Sequence, residues 1–166
     1  KLFTLDTSIL HSTVRPQALL KNDGSIDNTH IVESVRLPVP TNAETNDTFD
    51  DGGKLLTVKS FLSTNAIFST NSIDGIDYCS SNDSTPCNVQ QISVPILFNA
   101  MGAYYFIRDN EIHYDLAKSQ DKEFIVIAGL VHGITPCNEC PGGPYNNSQK
   151  NFYDHVASWI NKPGRF

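Results

Sequence analysis

The chain has 166 residues, of which 39% are hydrophobic and 18% charged, and this composition excludes an intrinsically disordered chain and a coiled coil. Twelve Lys and Arg against eighteen Asp and Glu give a net charge of −6, without a basic cluster that would attract nucleic acid. The longest apolar stretches, Val94–Phe98 and Phe124–Val131, fall far short of the ~20 residues of a transmembrane helix. The length favours one domain with a sizeable core.

The first part of the chain, residues 1–91, is predicted to be a loop-rich segment. Strand-like patterns at Lys1–Leu5 and around His30–Val39 are separated by clusters of Asn, Asp, Gly, Ser and Pro. Residues 69–91 are polar and rich in turn formers, without periodicity. One helix is predicted near 53–67 by apolar residues at a period of 3.6, namely Leu55, Val58, Phe61, Leu62 and Ile67.

The second part, residues 92–166, predicts the order strand, helix, strand, helix. Val94–Met101 and Glu123–Ala128 are near-continuous apolar runs, which are typical of parallel strands buried on both faces. A helix over 111–119 between them would make a right-handed crossover. The predicted fold class is therefore α/β, with a parallel sheet and flanking helices.

The two helices of this part have predicted caps. Asp109 or Asn110 is expected to cap the helix over 111–119. Ser148 is expected to cap a final amphipathic helix. The apolar face of that helix is predicted to contain Phe152, Val156, Trp159 and Ile160.

Four cysteines form two close pairs along the chain. They allow three pairings, of which we expect Cys79–Cys87 and Cys137–Cys140, because each bridge closes a short loop in a segment without periodicity. Disulfides of this kind favour an oxidising compartment.

The Cys137–Cys140 pair also allows two sharper interpretations. A thioredoxin-like redox pair normally opens a helix after a strand, whereas this pair lies in a loop rich in Pro and Gly. A zinc site would need further ligands, for which His132 and His155 are candidates. A structural disulfide fits the context best, and we predict no metal and no cofactor.

Three N-x-S/T sequons accompany the cysteines, at Asn46, Asn82 and Asn146. Together with the even cysteine count they favour a secreted, glycosylated protein. The chain begins with Lys1 and shows no signal-peptide pattern, so we expect this end to result from processing or from the choice of expressed segment.

The most informative segment is Phe124–Gly133, in which an apolar strand pattern leads into Gly-x-x-His-Gly. His132 would lie at the carboxyl end of a buried parallel strand, where open α/β sheets place their active sites. The alternative is a histidine that is merely exposed or packed in a loop.

This segment, followed by an amphipathic helix, resembles the C-terminal end of an α/β-hydrolase, in which the catalytic His follows the last strand. The Pro-led run Val94–Leu97, with Gly102 at its end, resembles the preceding strand of that family. The resemblance covers about residues 92–163. It implies that His132 is a general base that activates a serine.

The sequence departs from the family pattern at two points. It contains no G-x-S-x-G nucleophile motif, which the family order places upstream of the His, so the serine is expected on a separate N-terminal chain. Tyr104 and Tyr105 follow Gly102 where the family acid is expected; they are candidates for a substrate pocket or for core aromatics. The carboxylates that remain are Asp109 and Glu111, with Asp74 and Asp77 from the preceding loop.

The resemblance therefore implies the C-terminal chain of a secreted serine hydrolase that acts on an ester or amide, with the loop-rich residues 1–91 as a cap or lid over the site. Its partner would be the N-terminal chain of the same precursor, covering the cut edge of the sheet. The alternative is a non-catalytic secreted binding or structural protein that keeps this architecture. A third possibility is a small disulfide-stabilised domain unrelated to hydrolases, which would fold alone.

Overall fold

A computed structural model of the chain describes residues 12–36, 68–70, 75–80, 84–104 and 106–166. The strand expected at Lys1–Leu5 and the helix expected near 53–67 lie outside these ranges. No helix in the described part is long and apolar enough to cross a membrane.

The described residues form short strands and three α-helices. The strands are β1 (Ser12–Pro16), β2 (Ala18–Leu20), β3 (Ile26–Asp27), β4 (Ile31–Glu33), β5 (Phe68–Ser69), β6 (Ile76–Asp77), β7 (Ile96–Met101), β8 (Lys122–Ile127), β9 (Leu130–Val131) and β10 (Thr135–Pro136). The helices are α1 (Thr85–Asn88), α2 (Ile107–Leu116) and α3 (Ser148–Ile160), with a 3-10 turn at Val89–Gln91 after α1.

The main sheet has four strands in the order β3-β2-β8-β7. As predicted, β7 and β8 are parallel neighbours, paired from Ile96 with Lys122 to Met101 with Ile127, and α2 connects them. β2 pairs in parallel with β8 along its other edge, and β3 pairs antiparallel with β2. The sheet is therefore mixed rather than wholly parallel, and two of its strands, β2 and β3, come from the loop-rich segment that was expected to form a cap.

Burial differs between the two central strands. In β8 the residues Phe124 to Ile127 are buried, because this strand has a hydrogen-bonded neighbour on each edge. In β7 only Phe98 and Ala100 are buried. The expectation that both strands are buried on both faces holds only in part for β7, whose Leu97 and Met101 are half-buried against the core of the second face. This strand has one paired edge within the described residues.

Each face of the sheet has its own core, because successive side chains of a strand point to opposite faces. Val126 of β8 packs with Phe98 of β7 and Ile107 of α2 on one face. On the other face Ile125 and Ile127 pack with β2 and β9, and Phe152 of α3 lies against them. The two long helices therefore cover opposite faces of the sheet.

α2 begins earlier than predicted. It starts at Ile107, and Phe106 occupies the N-cap position without a side-chain hydrogen bond, so Asp109 lies inside the first turn and Asn110 follows it. Ile107 is completely buried, which indicates that packing, rather than a capping side chain, sets the start. The other completely buried residue of this helix is Glu111, a carboxylate that the apolar pattern could not predict.

α3 forms where the final helix was predicted, but two details were wrong. Asn147 occupies the N-cap position, and Ser148 is the first helical residue, buried and with no hydrogen-bond partner for its hydroxyl among the described residues. Trp159 faces the core as predicted, whereas Ile160 is 50% exposed.

The cysteines form both predicted disulfides. Cys79–Cys87 connects the end of β6 to α1, with Cα atoms 5.0 Å apart, and Cys137–Cys140 follows β10 with Cα atoms 5.7 Å apart. All four thiols are thus oxidised, so they offer no thiolate to zinc. The Cys79–Cys87 bridge lies in a segment that was predicted to lack regular structure. That segment nevertheless contains α1, whose N-cap Ser84 side chain accepts a hydrogen bond from the Cys87 amide.

Candidate functional site

His132 lies in an exposed three-residue turn of the β9–β10 hairpin, which directly follows β8. The last residue of this turn, Ile134, has a φ of +54°, and its amide donates to the Val131 carbonyl at 2.9 Å. The Ile134 side chain packs against the core cluster beneath β8. The Ile134 side chain therefore anchors the turn to the core, and the His132 imidazole is exposed to solvent.

The carboxyl ends of β7 and β8 approach closely beside this turn. The Gly102 amide donates to the Ile127 carbonyl at 2.8 Å, and a β-carbon at Gly102 would lie only 2.6 Å from that oxygen. The close approach brings the residues after β7 next to the residues after β8. Tyr104 and His132 meet there, with stacked rings whose centroids are 5.0 Å apart.

A small cavity of about 120 Å³ lies at this contact. The Tyr104 ring also contacts Phe106, at 5.6 Å between centroids, so aromatic rings form much of the wall. Tyr105, the second tyrosine of the sequence prediction, lies outside the described residues. The cavity is lined by Asn99, Met101, Tyr104, Phe106, Asn110 and His132.

Neither predicted carboxylate touches His132 among the described residues. Glu111 accepts hydrogen bonds from the Val14 amide at 2.9 Å, from Gln17 Nε2 at 2.9 Å and from Arg108 Nη1 at 2.7 Å. The first two donors connect α2 to β1 and to the residue after it, whereas Arg108 lies on α2 itself, so Glu111 is engaged in holding the fold together.

Asp109 also lies on α2, and its Oδ2 is buried without a hydrogen-bond partner in the described part of the chain. Burial raises the pKa of this carboxyl above its ordinary value of 3.8. One turn further, burial lowers the pKa of His113 below 6.5. Asp77, in β6, accepts a hydrogen bond from the Cys79 amide, and Asp74 lies outside the described ranges.

The remaining candidate residues lie apart from the cavity. His155 Nε2 lies 3.0 Å from Glu123 Oε1, and His30 lies beside Asp27. Asn146 is exposed in the turn before α3, which leaves this sequon accessible to a glycan. The other two sequons, at Asn46 and Asn82, lie outside the described ranges.

Chemically, the site offers an exposed imidazole next to a small aromatic cavity. Nothing in the described part hydrogen-bonds to His132, so its ring nitrogens are available to a partner or a substrate. Asn99, Met101 and Asn110 also line the cavity, and the sequence did not predict them there. The available signal was the amide of Asn99, the single polar side chain in the strand Ile96–Met101.

Within the described ranges, no group of three or more His, Cys, Asp or Glu side chains is placed to hold a metal ion. Comparison of the chain with protein-family models, with curated proteins and with solved structures finds no match.

Proposed function

We propose that this chain is the histidine-bearing part of a secreted serine hydrolase of the α/β type, acting on an ester or amide bond. One observation carries the proposal: His132 lies exposed at the carboxyl end of the parallel pair β7–β8, stacked on Tyr104 beside a cavity. The two disulfides support the secreted location.

In this proposal His132 is the general base. Its imidazole takes the proton of a serine hydroxyl while that oxygen attacks the substrate carbonyl carbon, and then delivers the proton to the leaving group. The serine comes from a segment outside these 166 residues, since the chain has no G-x-S-x-G motif. Stacking on Tyr104 would hold the imidazole plane in place during both transfers.

The partner of the proposal is an N-terminal chain of the same precursor. Six-residue β7 pairs with β8 along one edge, and within the described ranges its other edge has no neighbouring strand. An unpaired edge of this length is a site for adding a strand from another chain. Such a strand would lie on the β7 side of the sheet, near the cavity that contains His132.

To test the proposal, the protein is purified from its natural source by affinity for this chain. All polypeptides that co-purify with it are retained. We expect a fluorophosphonate probe to label a serine on a co-purifying chain that contains G-x-S-x-G. His132→Gln should abolish both labelling and ester hydrolysis while the two chains still co-purify, because the imidazole supplies proton transfer and not assembly.

His30→Gln is the matched control. This histidine is also exposed, but it lies beside Asp27 and away from the cavity, so labelling should continue at the wild-type rate. Purification of this chain as a folded monomer, or full labelling of His132→Gln, would show that the proposal is wrong.

The second candidate is a secreted binding protein without catalytic activity. It is favoured by the absence of a carboxylate contact to His132 in the described part, where Glu111 binds Val14, Gln17 and Arg108 instead. A co-purifying chain without a reactive serine would support this candidate.

A further inference from the structure

One flank of α3 carries large apolar side chains that are exposed in the described structure. Tyr153 is 54% exposed and Ile160 is 50% exposed. They lie seven residues apart, which is about two helical turns, so both are on the same side of the helix. Val156 lies between them and the core-facing side, and it is half-buried. The apolar surface of α3 is therefore wider than the core beneath it.

The contacts of α3 show in which direction this flank points. Asn151 Nδ2 donates to the Lys21 carbonyl at 3.0 Å and to the Asn22 carbonyl at 3.1 Å, so its side of the helix faces the end of β2. Ile160 follows Asn151 by nine residues, about two and a half turns, and therefore lies on the opposite side. α3 packs against β8, whose two neighbours in the sheet are β2 and β7. The apolar flank consequently points away from β2 and towards β7.

The face of β7 beside this flank is incompletely covered. Leu97 and Met101 on that face are half-buried, whereas Phe98 on the opposite face, under α2, is buried. His155 of α3 lies 3.0 Å from Glu123, the β8 partner of Leu97, so the helix and this strand face are at the same level. They form the wall and the floor of an apolar groove. This α3 groove comprises Leu97, Met101, Tyr153, Val156 and Ile160.

The spacing of a layered fold indicates what fits the α3 groove. Neighbouring strands lie about 4.8 Å apart and packed helices about 8–10 Å apart, so one helix covers about two strands. The next helix beside α3 would therefore lie over β7 and over one strand beyond its free edge, where the described residues provide no strand. A strand added parallel to β7, as β8 and β2 are, also needs a crossover connection, which is usually a helix. The helix and the strand are thus expected from one polypeptide.

We propose that the α3 groove binds an amphipathic helix of the chain whose strand pairs with the free edge of β7. The bound helix lies alongside α3 and presents an apolar stripe to Tyr153, Val156 and Ile160. The partner is the N-terminal chain of the proposed function, on which this inference rests. Met101, on the floor of the groove, also lines the cavity beside His132, so the same chain would cover the groove and border the cavity.

The test uses the complex, purified as above, with the photo-cross-linking residue p-benzoylphenylalanine in place of Tyr153 or of Ile160. Both positions are half-exposed, so the fold tolerates the larger ring. After irradiation, we expect both positions to cross-link to the same co-purifying chain. The two positions are about 10 Å apart along α3, so their attachment sites on a partner helix should lie about seven residues apart.

Ser158 is the matched control position. It is also exposed on α3, but it follows Asn151 by seven residues and so lies on the β2 side of the helix. The same residue placed there should not cross-link to the partner. Cross-links within this chain or to a second copy of it would overturn the proposal. Attachment sites without helical spacing, equal cross-linking from Ser158, or no cross-link at all would overturn it too.

The outcome is separable from that of the hydrolase test. Cross-linking to a chain that the fluorophosphonate probe does not label would keep the helix in the α3 groove and reject the hydrolase. Labelling of a partner that neither Tyr153 nor Ile160 reaches would keep the hydrolase and reject the helix in the groove.

Discussion

At Gly129 the backbone turns with a φ of +67°, and the Tyr145 ring lies 1.9 Å from the place where a β-carbon would be. This residue directly precedes β9, so it sets the path of the chain from β8 to His132. Gly129→Ala is expected to lower the free energy of unfolding by about 2–5 kcal/mol, because a clash with the ring adds to the cost of left-handed backbone. Urea denaturation measures the loss.

Gly24→Ala separates the cost of the left-handed backbone from the cost of the clash with the Tyr145 ring. Gly24 also has a positive φ, of +85°, but a β-carbon at this position would have nothing within 4 Å of it. Only the backbone cost of about 1–2 kcal/mol is expected there. Equal losses at the two glycines would contradict the packing of Tyr145 against Gly129.

Glu111 is the second residue whose role rests on its contacts. It is completely buried and accepts hydrogen bonds from three donors, including Arg108. Glu111→Gln should lower the free energy of unfolding by about 3–5 kcal/mol, because the change leaves Arg108 without its buried counter-charge.

Asp115→Asn is the matched control on the same helix. Asp115 pairs with Arg15 of β1, but both side chains are partly exposed. The loss there should stay below about 1 kcal/mol. Comparable losses from the two substitutions would mean that Glu111 is not the main connection between α2 and β1.

Among the elements, α2 carries a histidine whose charge opposes folding. Burial lowers the pKa of His113 below its ordinary value of 6.5, although Asp109 acts in the opposite direction. The protonated form is therefore disfavoured in the folded state, and the chain loses stability as the pH falls below about 6.5. His113→Gln should remove this loss. The Tm of the variant minus the Tm of the wild type should therefore be larger at pH 5 than at pH 8.

Thermal unfolding of both proteins at the two pH values measures the effect, and the other histidines cancel in the comparison. A difference in Tm that does not change with pH would show that His113 titrates normally in the folded chain.

The sequence predicts the elements whose signals are local. The apolar runs at β7 and β8 predict a parallel pair, and the stripe with Trp159 predicts α3. The start of α2 was missed because Asp109 and Asn110 have good capping side chains, whereas burial of Ile107 decides where the helix begins. β2 is only three residues long, and its strand character depends on pairing with β8.

In the candidate site, too, features set by local sequence could be predicted and features set by long-range contacts could not. His132 could be predicted because its position depends on a strand and the turn that follows it. The engagement of Glu111 could not be predicted, because its donor Val14 lies 97 residues away in the chain. Likewise, the cavity exists only where the ends of β7, α2 and the β9–β10 turn meet, and no local pattern indicates that meeting.

At the scale of the whole molecule, the two disulfides restrain different loops. Cys79–Cys87 spans eight residues and Cys137–Cys140 spans three. In the chain-entropy view the longer loop gives the larger gain, so replacing both Cys of the first pair by Ser should cost about 2.5 kcal/mol and of the second about 1.6 kcal/mol.

Urea denaturation of the two double variants tests this order. A larger loss for the Cys137–Cys140 pair would mean that this bridge holds the folded β9–β10 region in place, in addition to restricting the unfolded chain.

The order β3-β2-β8-β7 also has a consequence for synthesis on the ribosome. β2 and β3 leave the ribosome about 100 residues before their neighbour β8, which begins at Lys122. Until then they form at most an isolated two-stranded hairpin, which is marginally stable in water. The nascent polypeptide therefore keeps these apolar segments uncovered until β8 has been made, and a chaperone that shields them would raise the yield of folded protein.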